Sequence, residues 1–390
     1  MLRRVAVTGL GVVANCGVGA DAFWRGLLDG VPEHGFGIAD FDPVPFFDNP
    51  KEARRSDSFT HYALAAADEA LTQAGPLTAD PAKTGVWVGT GVGGIETLEA
   101  QIENFLEKGP RRVSPFLVPM MMANAAPASI SMKYGFQGPC ENTVTACAAG
   151  TQSIGRAADL IKLGKCDAVI AGSSEAARSP VARQGFINMT AISSEGVSRP
   201  FDLERDGFMH SEGAGILVLE DWEMAQQRGA TILAEVLGSG STADAHHITA
   251  PSPGGAGAVR SMELAMEDAG ISASDVAYIN AHGTSTPLND AAEAEAVAKV
   301  FGSSGPPMSS TKGVTGHALG AAGAIEAVAV VLAMQHRLLP PTHGFATPDP
   351  EMPEVNLIVG EPLEWTPGPV LSNSFGFGGH NGTLVIGPGT

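Results

Sequence analysis

A pattern of helix, Ala-Gly cap, short acidic loop, strand and Gly-Thr occurs twice in this chain, about 195 residues apart. The first copy reads "ADEALTQAGPLTAD…GVWVGTG" and the second "MELAMEDAGISASD…AYINAHGTS". A repeat of half the length of a 390-residue chain confines it to two similar βα halves packed together, with a site where they meet. The opening strand "RRVAVTGLGVV" has its echo in "ILAEVLGSGSTAD". Likewise "TACAAGTQSIGRAADLIKLG" corresponds to "TKGVTGHALGAAGAIEAVAVVLAMQ", each reading as a long interior helix with a small-residue first turn. Both helix starts carry reactive groups: Cys147 sits on one, Lys312 and His317 on the other. The halves are expected at 1–230 and 231–390.

The net charge of −19 repels nucleic acid and anionic membrane surfaces, so neither is expected as a partner. Two basic stretches, "PKEARR" (Lys51, Arg54, Arg55) and "GPRR" (Arg111, Arg112), are either solvated faces or a local docking patch. The four cysteines, Cys16, Cys140, Cys147 and Cys166, lack CxxC or metal-ligand spacing, which predicts free thiols in a reducing cytoplasm and no metal. Asn15 before Cys16 and the glycines at 9 and 11 argue against a lipoprotein signal, and no later apolar stretch is expected to span a membrane. "VTGLGVVA" matches G-x-G-x-x-A, yet Asn15-Cys16-Gly17 breaks the helix that a dinucleotide site needs at that point. His246-His247 lacks helical zinc spacing, and no G-x-S-x-G elbow exists.

What remains is Cys147, His282 in "NAHGTSTP", Lys312 and His317 in "STKGVTGHALGAAG", and the loop "NSFGFGGHN". A cysteine in apolar surroundings is by itself a buried small hydrophobe. At a helix N-terminus it is instead a nucleophile, because aligned N–H groups lower its pKa and hold a tetrahedral oxyanion. On that second reading Cys147 alkylates faster near pH 7 than the other three cysteines. Two histidines at strand and helix ends can serve a second acyl group. Gly376, Gly378 and Gly379 allow close backbone approach, with Phe375 and Phe377 as apolar stoppers.

At these residues the sequence resembles the β-ketoacyl-acyl carrier protein synthases, condensing enzymes of the thiolase fold, and most of all the type II synthases of bacterial fatty acid synthesis. The resemblance runs through "VAVTGLGVV", "TACAAGTQ", "SRPFDLERDGF", "EGAGILVLED", "NAHGTSTPLND", "STKGVTGHALGAAGA" and "NSFGFGGHNG", essentially the whole chain. It implies an α/β fold of five layers, αβαβα, built from two related halves. It also implies that Cys147 takes an acyl group from one acyl carrier protein and that malonyl-carrier protein loses CO2. The enolate then attacks the acyl-Cys147 thioester to give a 3-oxoacyl-carrier protein.

Carried over by position, His282 and His317 bind the malonyl thioester oxygen, and the N–H groups of Cys147 and Phe375 form the oxyanion hole. Lys312 pairs with Glu326 as an electrostatic member of the site, with Asp290 and Glu293 in support. Thr284 and Thr286 match pantetheine-contacting hydroxyls, Val92 the setter of acyl depth, Phe375 the gate, and Gly376 and Phe377 its substrate-facing neighbours. Lys51, Arg54, Arg55, Arg111 and Arg112 become the landing site for an acidic carrier protein. The enzyme needs no cofactor, since phosphopantetheine arrives on the carrier protein, and no metal. The resemblance implies a homodimer, or a heterodimer with a chain-length partner. Departures are Thr190 in place of a docking arginine, His380 in place of threonine, and a shorter "ISSEGVSRP"; "MMMAN" (Met120 to Asn124) lines the acyl pocket or dimer interface, or fills the core. Rival readings are a catalytic ketosynthase of a type II polyketide or polyene pathway and, from another class, a non-catalytic carrier-protein-binding scaffold. A thiolase is disfavoured because no cysteine lies after residue 166.

Overall fold

A computed structural model describes residues 2–302 and 305–389. Five main strands form the first half, besides a two-residue hairpin strand at Gly17–Val18: β1 (Val5–Ala14), β2 (Thr84–Gly89), β3 (Cys140–Glu141), β4 (Ala168–Glu175) and β5 (Gly213–Asp221). They lie side by side as β3-β2-β4-β5-β1. The second half repeats the order with β6 (Ala234–Ala243), β7 (Tyr278–Asn280), β8 (Met308–Ser309), β9 (Val370–Gly376) and β10 (His380–Pro388), arranged β6-β10-β9-β7-β8. In each half the three strands farthest from the seam pair parallel, and the remaining pairs run antiparallel. β1 and β6 join the halves through Ala6↔Glu235 and Val7↔Ala234.

Six helices complete the layers: α1 (Ser58–Ala74), α2 (Ala125–Tyr134), α3 (Ala149–Lys162), α4 (Ala256–Ala269), α5 (Pro287–Phe301) and α6 (Ala322–His336). α3 and α6 touch each other and strands of both halves, so they form the middle layer. α1 and α2 cover the first half's outer face, and α4, with α5 beside it, covers the second. The result is the expected αβαβα sandwich. The repeated Ala-Gly signal closes α1 at Gly75 and α4 at Gly270, both at positive φ (72° and 67°).

The G-x-G pairs of the two echoing strands serve this layering. A Cβ on Gly9 or Gly11 would stand 2.0 Å from the carbonyl oxygens of Ala70 and Ala66 on α1. On β6, a Cβ on Gly240 would stand 2.0 Å from the Ser261 carbonyl oxygen of α4. These glycines let a helix lie directly on its strand, which accounts for the dinucleotide-like "GLG" without a nucleotide. Gly150 and Gly323 do the same where α3 crosses α6, each Cβ position falling within 2.5 Å of the other helix.

Leu319–His336 is long and apolar enough to cross a membrane, yet 89% of it is buried within the protein. Burial on all sides by two sheets and α3 demands the same apolar composition that a bilayer does.

Candidate active site

The second residue of a tight turn, Ala146–Ala148, carries the thiol at the entrance to α3. Ala146 takes φ 49°, a conformation L-residues rarely adopt, and so lifts Cys147 out of the strand-to-helix path. Cys147 is 6% exposed, and its Sγ lies 3.1 Å from His317 Nε2. The His282 ring stands edge-on to that of His317, centroids 5.4 Å apart, and edge-on to Phe375 at 5.8 Å. Ligand atoms of Cys147, His282 and His317 all lie within 4.8 Å of one another.

Buried carboxylates hold the loops that present these groups. Glu293 accepts from the backbone N–H groups of His282 (2.8 Å) and Gly283 (2.7 Å), while Asp290 accepts from Phe201 (2.8 Å) and Ser285 (3.1 Å). His317 is fixed through its main chain: its N–H donates to Met209 at 2.7 Å, and its carbonyl accepts from Ser211 at 3.1 Å. Lys312 and Glu326 form a fully buried ion pair. Removing one partner of such a pair costs about 3–5 kcal/mol, because the other charge stays behind unpaired. Lys312 occupies a separate helical turn, Lys312–Thr315, and His317 the link before α6, so neither stands on the helix start itself.

Burial rather than the helix terminus sets the resting charge state. It pushes the Cys147 thiol up to about 11, against the pull of the Phe377 N–H, the Lys312 ammonium and Cys147's own N–H. Burial, then the Lys312 charge, hold both His282 and His317 well below the ordinary imidazole range. The expected low-pKa thiolate is therefore replaced by a neutral thiol beside a neutral imidazole. The α3 dipole acts at the turn, but a thiolate sealed from water loses more in desolvation.

The donor expected from Phe375 is also reassigned. Phe375 is still in the β9–β10 ladder opposite Asn381, whereas the chain beyond Gly376 turns back through Gly378 (φ 82°) and Gly379 (φ 72°). That turn lays Phe377 over the thiol, so the N–H groups directed at Sγ are those of Phe377 and Cys147. Asp244 braces the hairpin, accepting from Asn381 Nδ2 at 2.8 Å and donating its own N–H to the Gly379 carbonyl at 2.9 Å.

A cavity of about 300 Å³ opens onto Cys147, His282 and His317. Thr284, Thr286, Phe375, Gly376 and Phe377 line it as expected of substrate-contacting residues, and Thr190 and Asp244 share the wall. The Thr284 and Thr286 hydroxyls meet at 2.9 Å. Val92 lies outside this lining and is 46% exposed. Its turn is drawn away to Glu175, which accepts from the N–H groups of Gly91 (2.6 Å) and Gly320 (3.0 Å) and from the Thr90 hydroxyl (2.9 Å). Lys51, Arg54, Arg55, Arg111 and Arg112 are exposed, and Arg55 stacks 4.6 Å over Phe116. Glu175 and Asp244 escaped the sequence reading, and Phe377 was expected only as a substrate contact, not as a donor to the thiol. Glu175 had a signal, as an acid ending the small, apolar strand "AVIAGSSE".

This fold and this nucleophile-and-two-histidine centre define a thiolase-like condensing enzyme. Residues 31–225 match the family model "Beta-ketoacyl synthase, N-terminal domain" and residues 233–346 the corresponding C-terminal domain. The chain belongs to the β-ketoacyl synthase family. It is 43% identical to 3-oxoacyl-[acyl-carrier-protein] synthase 2 of Synechocystis sp. and 44% identical to that of Staphylococcus aureus, each over 98% of both chains. Among solved structures, the ishigamide ketosynthase/chain length factor superposes with a TM-score of 0.93 at 33% identity, covering all of both chains. A type II polyketide acyl-carrier protein in complex with its ketosynthase, bound to the hexaketide, gives 0.90 at 32%, again over both full chains.

Proposed function

We propose that this enzyme performs the decarboxylative Claisen condensation of malonyl-acyl carrier protein with an acyl group held on Cys147, lengthening the acyl chain of fatty acid synthesis by one malonyl-derived unit. The observation that carries the reading is the 3.1 Å contact between Cys147 Sγ and His317 Nε2, with His282 beside it and all three facing one cavity.

In the loading step the thiol proton moves to His317 Nε2 as Sγ attacks the incoming thioester carbonyl. The oxyanion is received by the N–H groups of Cys147 and Phe377. Collapse breaks the pantetheine C–S bond, and the departing sulfur takes the proton from His317. In the condensation step the malonyl carboxylate leaves as CO2, and its bonding electrons form an enolate whose oxygen accepts from His282 and His317. The enolate carbon then attacks the acyl-Cys147 carbonyl, and the C–S bond breaks to return the thiolate, which takes up from water the one proton that the condensation consumes. His317 must accept in one step and donate in the other. Its Nδ1 has no partner among the described residues to fix the tautomer, which supports both uses.

Acyl carrier protein is the proposed partner, bringing the phosphopantetheine arm so that the enzyme itself needs no cofactor. The exposed basic side chains of Lys51, Arg54, Arg55, Arg111 and Arg112 are its proposed landing site, by charge complementarity to an acidic carrier protein. Large exposed apolar side chains, Phe105, Leu106, Val118, Met122 and Met132, favour a second subunit that covers them. A homodimer is the first choice and a heterodimer with a chain-length partner the second. The four free cysteines fit a cytoplasmic enzyme. The polyketide reading stays as the alternative, favoured by likeness to the two ketosynthase structures above.

The test is to incubate the protein with malonyl-carrier protein and a ladder of acyl-carrier proteins and read products by intact mass. A 3-oxoacyl-carrier protein, with an acyl adduct on Cys147, is expected. Loading with no condensation product for any acyl length would overturn the proposal.

A further inference from the structure

Gly376, Gly378 and Gly379 lie where β9 gives way to β10, and only two of them are there for their backbone angles. Gly378 and Gly379 hold φ of 82° and 72°, where a side chain is strained. Gly376 is extended, at φ −108° and ψ 158°, a conformation open to any residue. Its glycine therefore answers a demand for space. A Cβ at Gly376 would stand 3.0 Å from the Cys147 nitrogen, 3.1 Å from the Thr145 carbonyl oxygen and 3.2 Å from the Ala148 nitrogen. The end of β9 thus rests, as bare backbone, on the turn that carries the nucleophile.

Two residues earlier, on the same face of the strand, Ser374 makes a second contact with the nucleophile's element. Its hydroxyl meets that of Thr151 on α3 at 2.8 Å, and both residues are buried. Thr151 stands about one helical turn beyond Cys147. A Cβ on Gly323 would fall 2.2 Å from Thr151 Oγ1 and 2.9 Å from Ser374 Oγ, so α6 packs directly over the pair. Past Gly376, which also lines the cavity, the chain reaches Phe377. The two N–H groups directed at Sγ therefore come from different elements, Phe377 from the hairpin and Cys147 from the turn beneath it. Whatever seats one element on the other sets the distance between these donors.

We infer that Gly376, with the Ser374–Thr151 hydrogen bond behind it, is a positioning residue that seats β9 on the nucleophile's turn at the spacing that aims the Phe377 and Cys147 N–H groups at one oxygen. The inference rests on the reading that Cys147 holds the acyl group. A side chain at 376 either covers the turn or lifts the strand from it, and both outcomes part the donors. Small shifts matter, because such donors act only within hydrogen-bond distance of the oxyanion. Alkylation of the thiol forms no oxyanion and needs neither donor. Thioester chemistry and alkylation must therefore separate when the seat is disturbed.

The experiment compares, in the full-length protein, acylation of Cys147 by an acyl-pantetheine thioester with its alkylation by iodoacetamide, both followed by intact mass. Gly376→Ala is expected to slow acylation by about 10²–10³-fold, the loss of one oxyanion donor, while alkylation is little changed. Ser374→Ala removes the hydrogen bond and adds no bulk; it is expected to slow acylation by about tenfold, again with alkylation preserved. Acylation by Gly376→Ala at the rate of the unsubstituted protein would overturn the inference. A parallel fall of acylation and alkylation in both variants would also overturn it, since the thiol would then have been displaced or the fold lost. Those two results leave the reading of Cys147 intact. If instead the unsubstituted protein alkylates at Cys147 yet accepts no thioester, the reading of the site fails and the inference with it.

Discussion

The turns that open α3 and α6 are built alike and used oppositely. Ala146–Ala148 and Leu319–Ala321 each form a tight turn immediately before a middle-layer helix, and their first residues share a positive φ, 49° and 47°. Cys147 therefore has Gly320 as its counterpart in the other half. In the first turn the N–H of Cys147 faces its own thiol and the cavity. In the second, the N–H of Gly320 is already occupied by the Glu175 carboxylate at 3.0 Å. One geometry offers an anion site in each half. The first is kept open for a transient oxyanion, and the second is filled permanently by a side chain.

The largest test makes the first turn resemble the second. Cys147→Gly is expected to leave no acyl adduct and no condensation product, measured by intact mass. Any residual adduct on another residue would show that the open turn is not where the acyl group is held.

The two histidines separate the steps at that turn. His317→Ala removes the group 3.1 Å from Sγ and is expected to slow both acyl transfer and condensation by about 10²–10⁴-fold. His282→Ala is expected to spare loading and to lose condensation by a similar factor, read by single-turnover loading against steady-state product formation. Equal damage to both steps in His282→Ala would merge their roles.

Glu175 gives the closed turn its own signature in pH. Burial raises its pKa from 4.5 to about 7 despite four donors, so the folded state holds this proton more tightly than the unfolded chain. That contribution is fully present below about pH 4.5 and is lost as pH rises through 7. Glu175→Gln removes it. The stability of the natural protein relative to this variant is expected to fall by about 3 kcal/mol at most between pH 4.5 and 7, measured by urea unfolding. A flat difference would mean that Glu175 is ionised throughout.

Particular residues show how much of this was legible in the sequence. The repeat spacing gave the two halves, because helix caps and glycine pairs are local signals that survive in each copy. The cysteine, both histidines and the Lys312–Glu326 pair are legible because each sits in or beside a block that carries the family resemblance. The charge on Cys147 was misjudged because a helix terminus is visible in sequence, whereas complete burial of the thiol is not. Whether Phe375 or Phe377 offers its N–H to the thiol is not legible in "SFGFGG", because a two-residue offset depends on where a ladder ends and a turn begins. Asp244 acts across a distance that no local pattern encodes, and Glu175 is marked only by its place at the end of "AVIAGSSE".

The smallest effect asks whether the second turn needs its glycine. A Cβ on Gly320 would stand 2.1 Å from the Gly91 nitrogen and 2.8 Å from a Glu175 carboxylate oxygen. Gly320→Ala must therefore push the Thr90–Gly93 turn off Glu175 or shift the start of α6, at a cost of about 2 kcal/mol. In thermal unfolding that lowers Tm by about 2–4 °C per kcal/mol for a domain-sized unit. Cys147→Ala is the matched control, since the first turn already houses a Cβ and loses only the sulfur. If Gly320→Ala unfolds no earlier than Cys147→Ala, the packing of Glu175 against Gly320 is not what distinguishes the closed turn from the open one. If it unfolds earlier while loading on Cys147 continues, the second turn is a structural copy of the first whose anion site has been given over to holding the halves together.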